Sequence, residues 1–264
     1  MFDGRRRRFA ALTLCAAISL CAGPALAGPP FLTDDPEPVP YRHWEIYLAG
    51  QAERTAGNWS GAAPQVEVNY GAVPDLQLHA ILPVAFSAPS GGPSTCGPGD
   101  VELGTKLRFI HEGRYVPQVG IFPLLELPAG SAARNLGTGH LHAYLPLWVQ
   151  KSLGAWSSYG GGGYWINPGE GNRNYLFVGW QLQRQVTDSL ALGGEIFHTT
   201  PQSTSQGSET RFNLGAILDV SEHQHLIASA GRGLQGPNRF QAYAAWLITL
   251  GAGEPARAAG APAD

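Results

Sequence analysis

The feature that most constrains this chain is an alternation of apolar and polar residues with a period of two. In the stretch 76–86, Leu78 and Leu82 fall on one face, whereas His79 between them falls on the other. Successive side chains of a β-strand point to opposite faces, so this alternation predicts half-buried strands. Such segments span residues 44–52, 65–70, 76–86, 101–109, 116–127, 141–149, 156–167, 174–186, 190–197, 211–220, 224–233 and 240–250. The sequence therefore predicts an all-β fold of about 12 strands.

The links between these segments predict their environment. Links after even-numbered strands are tight, as at 73–75 and 187–189, whereas links after odd-numbered strands are mostly longer, as at 54–62 and 128–139. Outer-membrane barrels show this alternation, with short turns on the periplasmic side. In hydrocarbon an open sheet edge is not viable, so the first strand must pair with the last. We expect a transmembrane antiparallel up-and-down β-barrel over residues 44–250, in preference to a lipocalin-like soluble barrel.

The N-terminus has the order of a secretory signal. Arg5–Arg8 form a basic region, Phe9–Cys21 form a short apolar stretch, and Ala25–Ala27 supply the cleavage pattern. The apolar stretch is too short for a permanent span, which favours a signal peptide at 1–27 over a membrane anchor. A Pro-rich acidic leader is expected at 28–43 and a disordered tail at 251–264. We therefore expect the cleaved protein in the outer membrane of a Gram-negative bacterium.

Charged residues on the predicted inward face are the first candidate functional residues. Opposite charges in a narrow lumen either pair and hold the barrel's shape or form a selectivity constriction, and the sequence leaves both roles open. The candidates are Glu45, Glu67, Glu102, Lys106, Arg108, Glu126 and Arg211. Asp34, Asp35 and Glu37 in the leader are candidates for a partial plug, since they can be attracted to Lys106 and Arg108.

Aromatic residues also fall on the predicted inward face. They are Tyr47, Phe122, Tyr144, Phe177, Phe197 and Tyr243. Together with the charges they predict an amphipathic lumen, which suits an apolar or aromatic permeant better than a bare ion.

Other chemistries find little support in the sequence. The formal net charge is −3 and there is no basic patch, so nucleic acid is not an expected partner. His140 and His142 are predicted on one strand face with His79 also inward, yet metal binding needs a defined ligand shell, and we expect neither metal nor cofactor. A membrane hydrolase needs a nucleophile with a base in reach. His198 and the serines of the loop 199–210 show no hydrolase motif, so we do not expect an enzyme.

Three segments resemble a known family. They are GPPFLTDDPEP at Gly28–Pro38 followed by His43–Glu45, the stretch Asn69–Leu78, and GDVELG at Gly99–Gly104. These segments resemble the outer-membrane proteins grouped as MetA-pathway of phenol degradation, and the resemblance covers nearly the whole chain after the signal. It implies a transport-type barrel, with aromatic compounds as candidate permeants, and it carries over no catalytic or ligand residues.

The sequence thus favours an outer-membrane channel that passes small apolar or aromatic molecules by passive diffusion. The alternative is a non-conducting structural or ligand-binding barrel. The expected partners are outer-membrane lipid and a small-molecule permeant, while the oligomeric state is left open.

Overall fold

The computed structural model describes residues 30–251. The predicted signal peptide (1–27) lies outside the described residues, as does the predicted tail beyond residue 251. The strands are β1 (Trp44–Thr55), β2 (Asn58–Val73), β3 (Leu76–Ala88), β4 (Thr95–Pro98), β5 (Val101–Ile110), β6 (Gln118–Ile121), β7 (Leu124–Leu127), β8 (His142–Leu153), β9 (Trp156–Ile166), β10 (Tyr175–Thr187), β11 (Leu190–Thr199), β12 (Glu209–Ser221), β13 (Gln224–Gln235) and β14 (Arg239–Leu250). A single 3₁₀ turn at Ala132–Arg134 lies between β7 and β8. Within residues 30–251, no helix has the length and apolarity needed to cross a bilayer.

The strands close into one antiparallel barrel. β1 pairs with β14 along its whole length, from Trp44 opposite Leu250 to Thr55 opposite Arg239. β4 and β5 share one position beside β3, and β6 and β7 share one position between β5 and β8. The wall therefore has 12 strand positions, which confirms the predicted fold and strand number.

The predicted long link at 54–62 is wrong. β1 and β2 are joined by Ala56 and Gly57, whose φ angles of 50° and 88° suit a two-residue hairpin turn. The start of β2 escaped the sequence prediction because a register shift between Ala62 and Gln65 interrupts its alternation. Other links at this end of the barrel remain longer than the two-residue turns at the opposite end, which we therefore assign to the periplasm.

Prolines account for the irregular parts of the wall. Pro123 divides the strand predicted at 116–127 into β6 and β7. Pro146 in β8 lies opposite this break, between the pairs that Leu147 and Tyr144 make with β6 and β7. Since proline has no N–H to donate, the break falls where the ladder lacks a donor on both strands. Pro83 in β3 lies opposite the β2 irregularity.

The two faces of the wall differ as the alternation predicts. Leu214 faces outward and is 64% exposed, whereas Gln181 faces inward and is fully buried. Exposed aromatic side chains lie near both ends of the outer face. They are Trp44, Phe109 and Trp156 toward the periplasmic end, and Trp59, Tyr164 and Phe240 toward the extracellular end. Such belts lie at the headgroup level of a membrane.

Candidate functional site

The segment 30–43, called the leader from here on, lies inside the barrel. The backbone N–H groups of Leu32 and Thr33 donate to the carboxylate of Glu195 on β11, at 2.9 and 2.8 Å. Asn213 of the neighbouring β12 donates to the same carboxylate at 2.5 Å. Glu195 thus holds the leader by its backbone at the middle of the lumen.

Inward-facing glycines make room for the leader. A Cβ atom on Gly179 would lie 2.1 Å from Oγ1 of Thr33, and one on Gly215 would lie 2.8 Å from Cγ of Pro30. Next to Gly215, the hydroxyl of Ser229 donates to the carbonyl oxygen of Pro30 at 2.5 Å. Because the Cβ at Gly179 would overlap the leader, a side chain there must displace either the leader or the wall.

The acidic part of the leader contacts the opposite side of the wall. Nζ of Lys106 on β5 donates to Oδ1 of Asp34 at 2.9 Å and lies 3.7 Å from Oδ2 of Asp35. The side chains of Lys106 and Asp35 are almost completely buried. The structure therefore brings together two of the three leader carboxylates and one of the two cations that the plug hypothesis joins.

The third leader carboxylate lies nearer the periplasmic end. Glu37 accepts a hydrogen bond from Gln118 at 3.2 Å and lies 3.9 Å from the guanidinium of Arg108. Arg108 donates over shorter distances, 2.8 and 3.0 Å, to Asp75 in the β2–β3 turn. Partial burial alone would raise the pKa of Asp75, but the hydrogen bonds and charge of Arg108, with those of His111, hold that pKa below its usual value.

Three further candidate carboxylates lie close to one another above the leader. Nε2 of His79 lies 2.9 Å from Glu102, and Nδ1 of His79 lies 3.7 Å from Glu67. Glu45 accepts a hydrogen bond from the Tyr47 hydroxyl at 2.9 Å. These contacts give Glu45, Glu67 and Glu102 partners on the wall rather than on the leader.

Glu126 is paired with a histidine on the next strand. Nδ1 of His142 lies 3.1 Å from Oε2 of Glu126. The prediction that His140 and His142 share a strand face is wrong, because β8 begins at His142 and His140 lies before it in an exposed bend. In the part of the chain that the structure describes, no three His, Cys, Asp or Glu side chains are grouped to hold a metal ion.

Arg211 belongs to a separate ion-pair cluster near the extracellular end. It lies 3.0 Å from Glu53, and Arg239 lies 3.0 Å from Glu209 and also pairs with Glu53. Sequence reasoning missed Glu53, Glu209 and Arg239 because the predicted strands stopped short of them. Extending the period-two pattern by one or two residues would have placed all three inward.

Aromatic side chains line one side of the lumen. Tyr144 stacks on Trp165 with ring centroids 4.6 Å apart, and Phe177 stacks on Phe197 at 5.6 Å. Trp148, which is 1% exposed, packs in the same cluster. Trp148 and Trp165 were absent from the predicted inward set. The predicted residues Tyr47, Phe122, Tyr144, Phe177 and Phe197 are buried inside the barrel, and Tyr243 is partly buried there.

Open space remains on the extracellular side of Glu102 and Glu126. A cavity of about 440 Å³ is bounded by these carboxylates and by Leu136 of the β7–β8 loop. Asp100 fixes that loop by accepting hydrogen bonds from the backbone N–H groups of Gly130 and Thr138, at 2.8 and 2.7 Å. The lumen is therefore filled in its middle and open toward the outside.

The histidine considered for a hydrolase has a different partner. Nδ1 of His198 lies 2.9 Å from the Thr210 hydroxyl, and His198 occupies the outward face of β11. Ser203 and Ser205 bond to each other at 3.2 Å. The contacts found in residues 30–251 include no Ser–His pair at this position.

A closed barrel of 12 strands, apolar outside and polar within, defines an outer-membrane β-barrel protein. Residues 54–248 match the family described as "Putative MetA-pathway of phenol degradation". The chain belongs to this family, as the resemblance at Gly28–Pro38, Asn69–Leu78 and Gly99–Gly104 implied.

Solved structures show the same fold. An outer membrane channel from Pseudomonas putida F1 is similar with a TM-score of 0.70 at 18% identity, over 82% of this chain and 98% of that chain. The NanC porin gives a TM-score of 0.53 at 6% identity, over 76% and 98% of the two chains. The CymD monoaromatic hydrocarbon channel gives 0.51 at 7% identity, over 80% and 89%. Comparison with curated protein sequences gives no match.

Proposed function

We propose that this chain is an outer-membrane channel that passes small apolar or aromatic molecules by passive diffusion, with the leader as a partial plug. The observation that carries the proposal is the aromatic wall formed on β8–β11 around Trp165 and Phe177. Ring faces and edges pack favourably against a second aromatic ring, so a permeant of this class gains contacts along the wall. The name of the family and that of the CymD channel point to the same class of molecule.

The plug role rests on the contacts of the leader with opposite sides of the wall. Glu195 binds its backbone on one side and Lys106 binds Asp34 and Asp35 on the other. These are hydrogen bonds and ion pairs, which exchange without breaking covalent bonds. We therefore propose that a displacement of the leader, rather than a change in the barrel wall, opens the middle of the lumen.

A specific observation favours the second candidate, a non-conducting barrel. Thr33 and Asp35 are fully buried, so the middle of the lumen is packed. In this alternative the charge pairs and the leader hold the barrel's shape, and ligands bind without crossing.

Swelling of liposomes that contain the protein separates the two candidates. The solutes are aromatic compounds of phenol size that carry a charge, and so cross bare lipid slowly, and sugars of larger size. A channel for aromatics gives faster swelling with the aromatic solutes than with the sugars. Swelling no faster than in protein-free liposomes with either solute favours the non-conducting barrel.

The variant Asp34→Ala/Asp35→Ala tests the plug. It leaves Lys106 buried without its leader partners, and removing one side of a buried ion pair costs about 3–5 kcal/mol. We expect the leader to leave its seat and single-channel conductance to rise. Glu37→Gln is the matched control, because Glu37 is exposed and its contacts are longer, at 3.2 and 3.9 Å. Unchanged conductance in the double variant argues against a plug.

We also infer that the protein reaches the outer membrane after cleavage of its signal peptide and that it has no enzymatic activity. Heat-modifiable gel mobility of protein extracted from membranes tests the closed barrel, because such barrels resist unfolding in detergent. The mass of the purified protein tests cleavage after Ala27.

A further inference from the structure

A row of arginine and aromatic side chains crosses the outer face of the barrel near its extracellular end. Directly opposite positions on five neighbouring strands, β12, β13, β14, β1 and β2, form this row. Its members are Phe212, Arg232, Phe240, Arg54 and Trp59, and we call it the arginine row.

The two arginines of the row have aromatic or neutral contacts. The guanidinium of Arg54 lies 5.7 Å from the ring centroid of Trp59, which itself packs edge-on against Phe240 at 6.2 Å. Arg232 donates to the side chain of Asn238 at 3.3 Å. Among the ion pairs of the described residues, none includes Arg54 or Arg232.

The inward-facing arginines at the same end of the barrel behave differently. Arg211 and Arg239 both pair with Glu53, the residue that directly precedes Arg54. The side chains of Glu53 and Arg54 point to opposite faces because they are consecutive in β1. The outward faces of β12, β13, β14, β1 and β2 carry no acidic residue, so the charge of the arginine row is not neutralised by the protein.

The position of the row identifies what faces it. Trp59 and Phe240 belong to the extracellular aromatic belt, which places Arg54 and Arg232 at the level of lipid headgroups. Two strand spacings separate them, which is about 10 Å. The planar guanidinium group binds phosphate oxygens through paired N–H donors. We propose that Arg54 and Arg232 bind phosphate groups on lipids of the outer leaflet.

A depression in the lipid-facing wall lies beside the row and favours a lipid over a free anion. It has a volume of about 640 Å³ and is lined by Leu176, Trp180 and Ile196. Ile196 lies directly opposite Phe212, the end of the row, so the depression continues from it. A phosphorylated lipid thus finds two cations for its headgroup and an apolar recess for an acyl chain.

Native mass spectrometry of the full protein in a zwitterionic detergent, with diphosphoryl lipid A as the probe, tests the site. We expect Arg54→Gln/Arg232→Gln to weaken binding of the probe at least about tenfold, since two charge-assisted contacts are lost. The matched control is Arg184→Gln, because Arg184 also faces outward over a tryptophan, 5.2 Å from the Trp156 ring, but lies at the periplasmic end. It should bind the probe like the unmodified protein.

Two further arms exclude other readings. Arg54→Lys/Arg232→Lys retains both charges and should bind between the unmodified protein and the glutamine variant, while heat-modifiable mobility reports that each variant is folded. Equal probe binding by the folded glutamine variant overturns the proposal, as does an equal loss in Arg184→Gln. Displacement of the probe by millimolar inorganic phosphate also overturns it, because the site would then be selective for the ion and not for the lipid.

Discussion

The two halves of the lumen are held together in different ways. In the middle and periplasmic part, wall residues such as Glu195 and Lys106 bond to the leader, a separate segment of chain. In the extracellular part, Arg211 and Glu53 bond to each other across the wall. Whatever blocks the middle can therefore leave without breaking the barrel, whereas the charges near the outside are part of the wall itself.

The difference also separates their chemistry. Displacing the leader would uncover the inward glycines at Gly179 and Gly215 and widen the passage. Changing the extracellular cluster would alter the sign of the charge that a permeant meets, while the width of the middle stays the same. Each half can thus be tested by its own measurement.

The largest effect is expected from Gly179→Val, which attacks the leader's seat. Its Cβ would lie 2.1 Å from Oγ1 of Thr33, so the leader must move. Valine is a good strand residue, so β10 should keep its ladder. We expect a several-fold rise in single-channel conductance in planar bilayers.

The control for this change is Gly194→Val on the neighbouring strand β11. Its Cβ would point outward and meet Cδ2 of Leu214 at 3.0 Å, a side chain that can turn away into lipid. Conductance should stay at the unmodified level. If folded Gly179→Val also shows no change, the leader is not the barrier and the contrast between the two halves fails.

The barrel was predictable from sequence because its alternation is long, whereas the filling of the lumen was not. Period two placed Glu67, Lys106 and Phe177 inward without a structure. It carried no information on the leader, which has no periodic pattern, so only charge suggested that Asp34 and Asp35 approach Lys106. The bonds of Glu195 to the leader backbone have no sequence signal, since any leader residue except proline offers the same N–H donor.

Strand ends were the second gap. Glu53 and Arg239 lie within the first or last three residues of β1 and β14, where polar residues resemble loops. Only the register between the two strands, with Glu53 opposite Gln241, shows that the pattern continues. The extracellular half of the lumen was therefore less well predicted than the middle of the wall.

A smaller effect is expected from Glu53→Gln in the extracellular cluster. The substitution leaves Arg211 and Arg239 with Glu209 as their remaining carboxylate partner among the described contacts. The local charge becomes more positive, so reversal potentials measured across a KCl gradient should shift toward anion selectivity. The conductance increase expected for Gly179→Val should be absent. Glu170→Gln, in an exposed loop at the same end, controls for charge alone and should shift the potential less.

The smallest effect concerns the periplasmic end, where Arg108 contacts both the wall and the leader. Asp75 lies 2.8 Å from Arg108 and Glu37 lies 3.9 Å from it, so the wall holds the stronger contact. Since the folded pKa of Asp75 is lowered, its charge stabilises the barrel above the unfolded pKa of about 3.9, and this stabilisation is lost as pH falls through the folded value. Asp75→Asn suits the turn's φ of 64° and should lower the free energy of unfolding by about 1 kcal/mol or less.

This last difference should be visible in urea unfolding at pH 7 and should shrink as the pH is lowered below about 4, where the unmodified protein loses the same charge. The conductance of Asp75→Asn should be unchanged or slightly lower, because Arg108 is then free to bind Glu37 more closely and hold the leader. A difference in stability that persists unchanged at pH 2 would show that Asp75 acts through the shape of the turn rather than through its charge. A rise in conductance would instead mean that Arg108 needs Asp75 to hold the leader, and that the two halves of the lumen meet the leader through the same wall contacts.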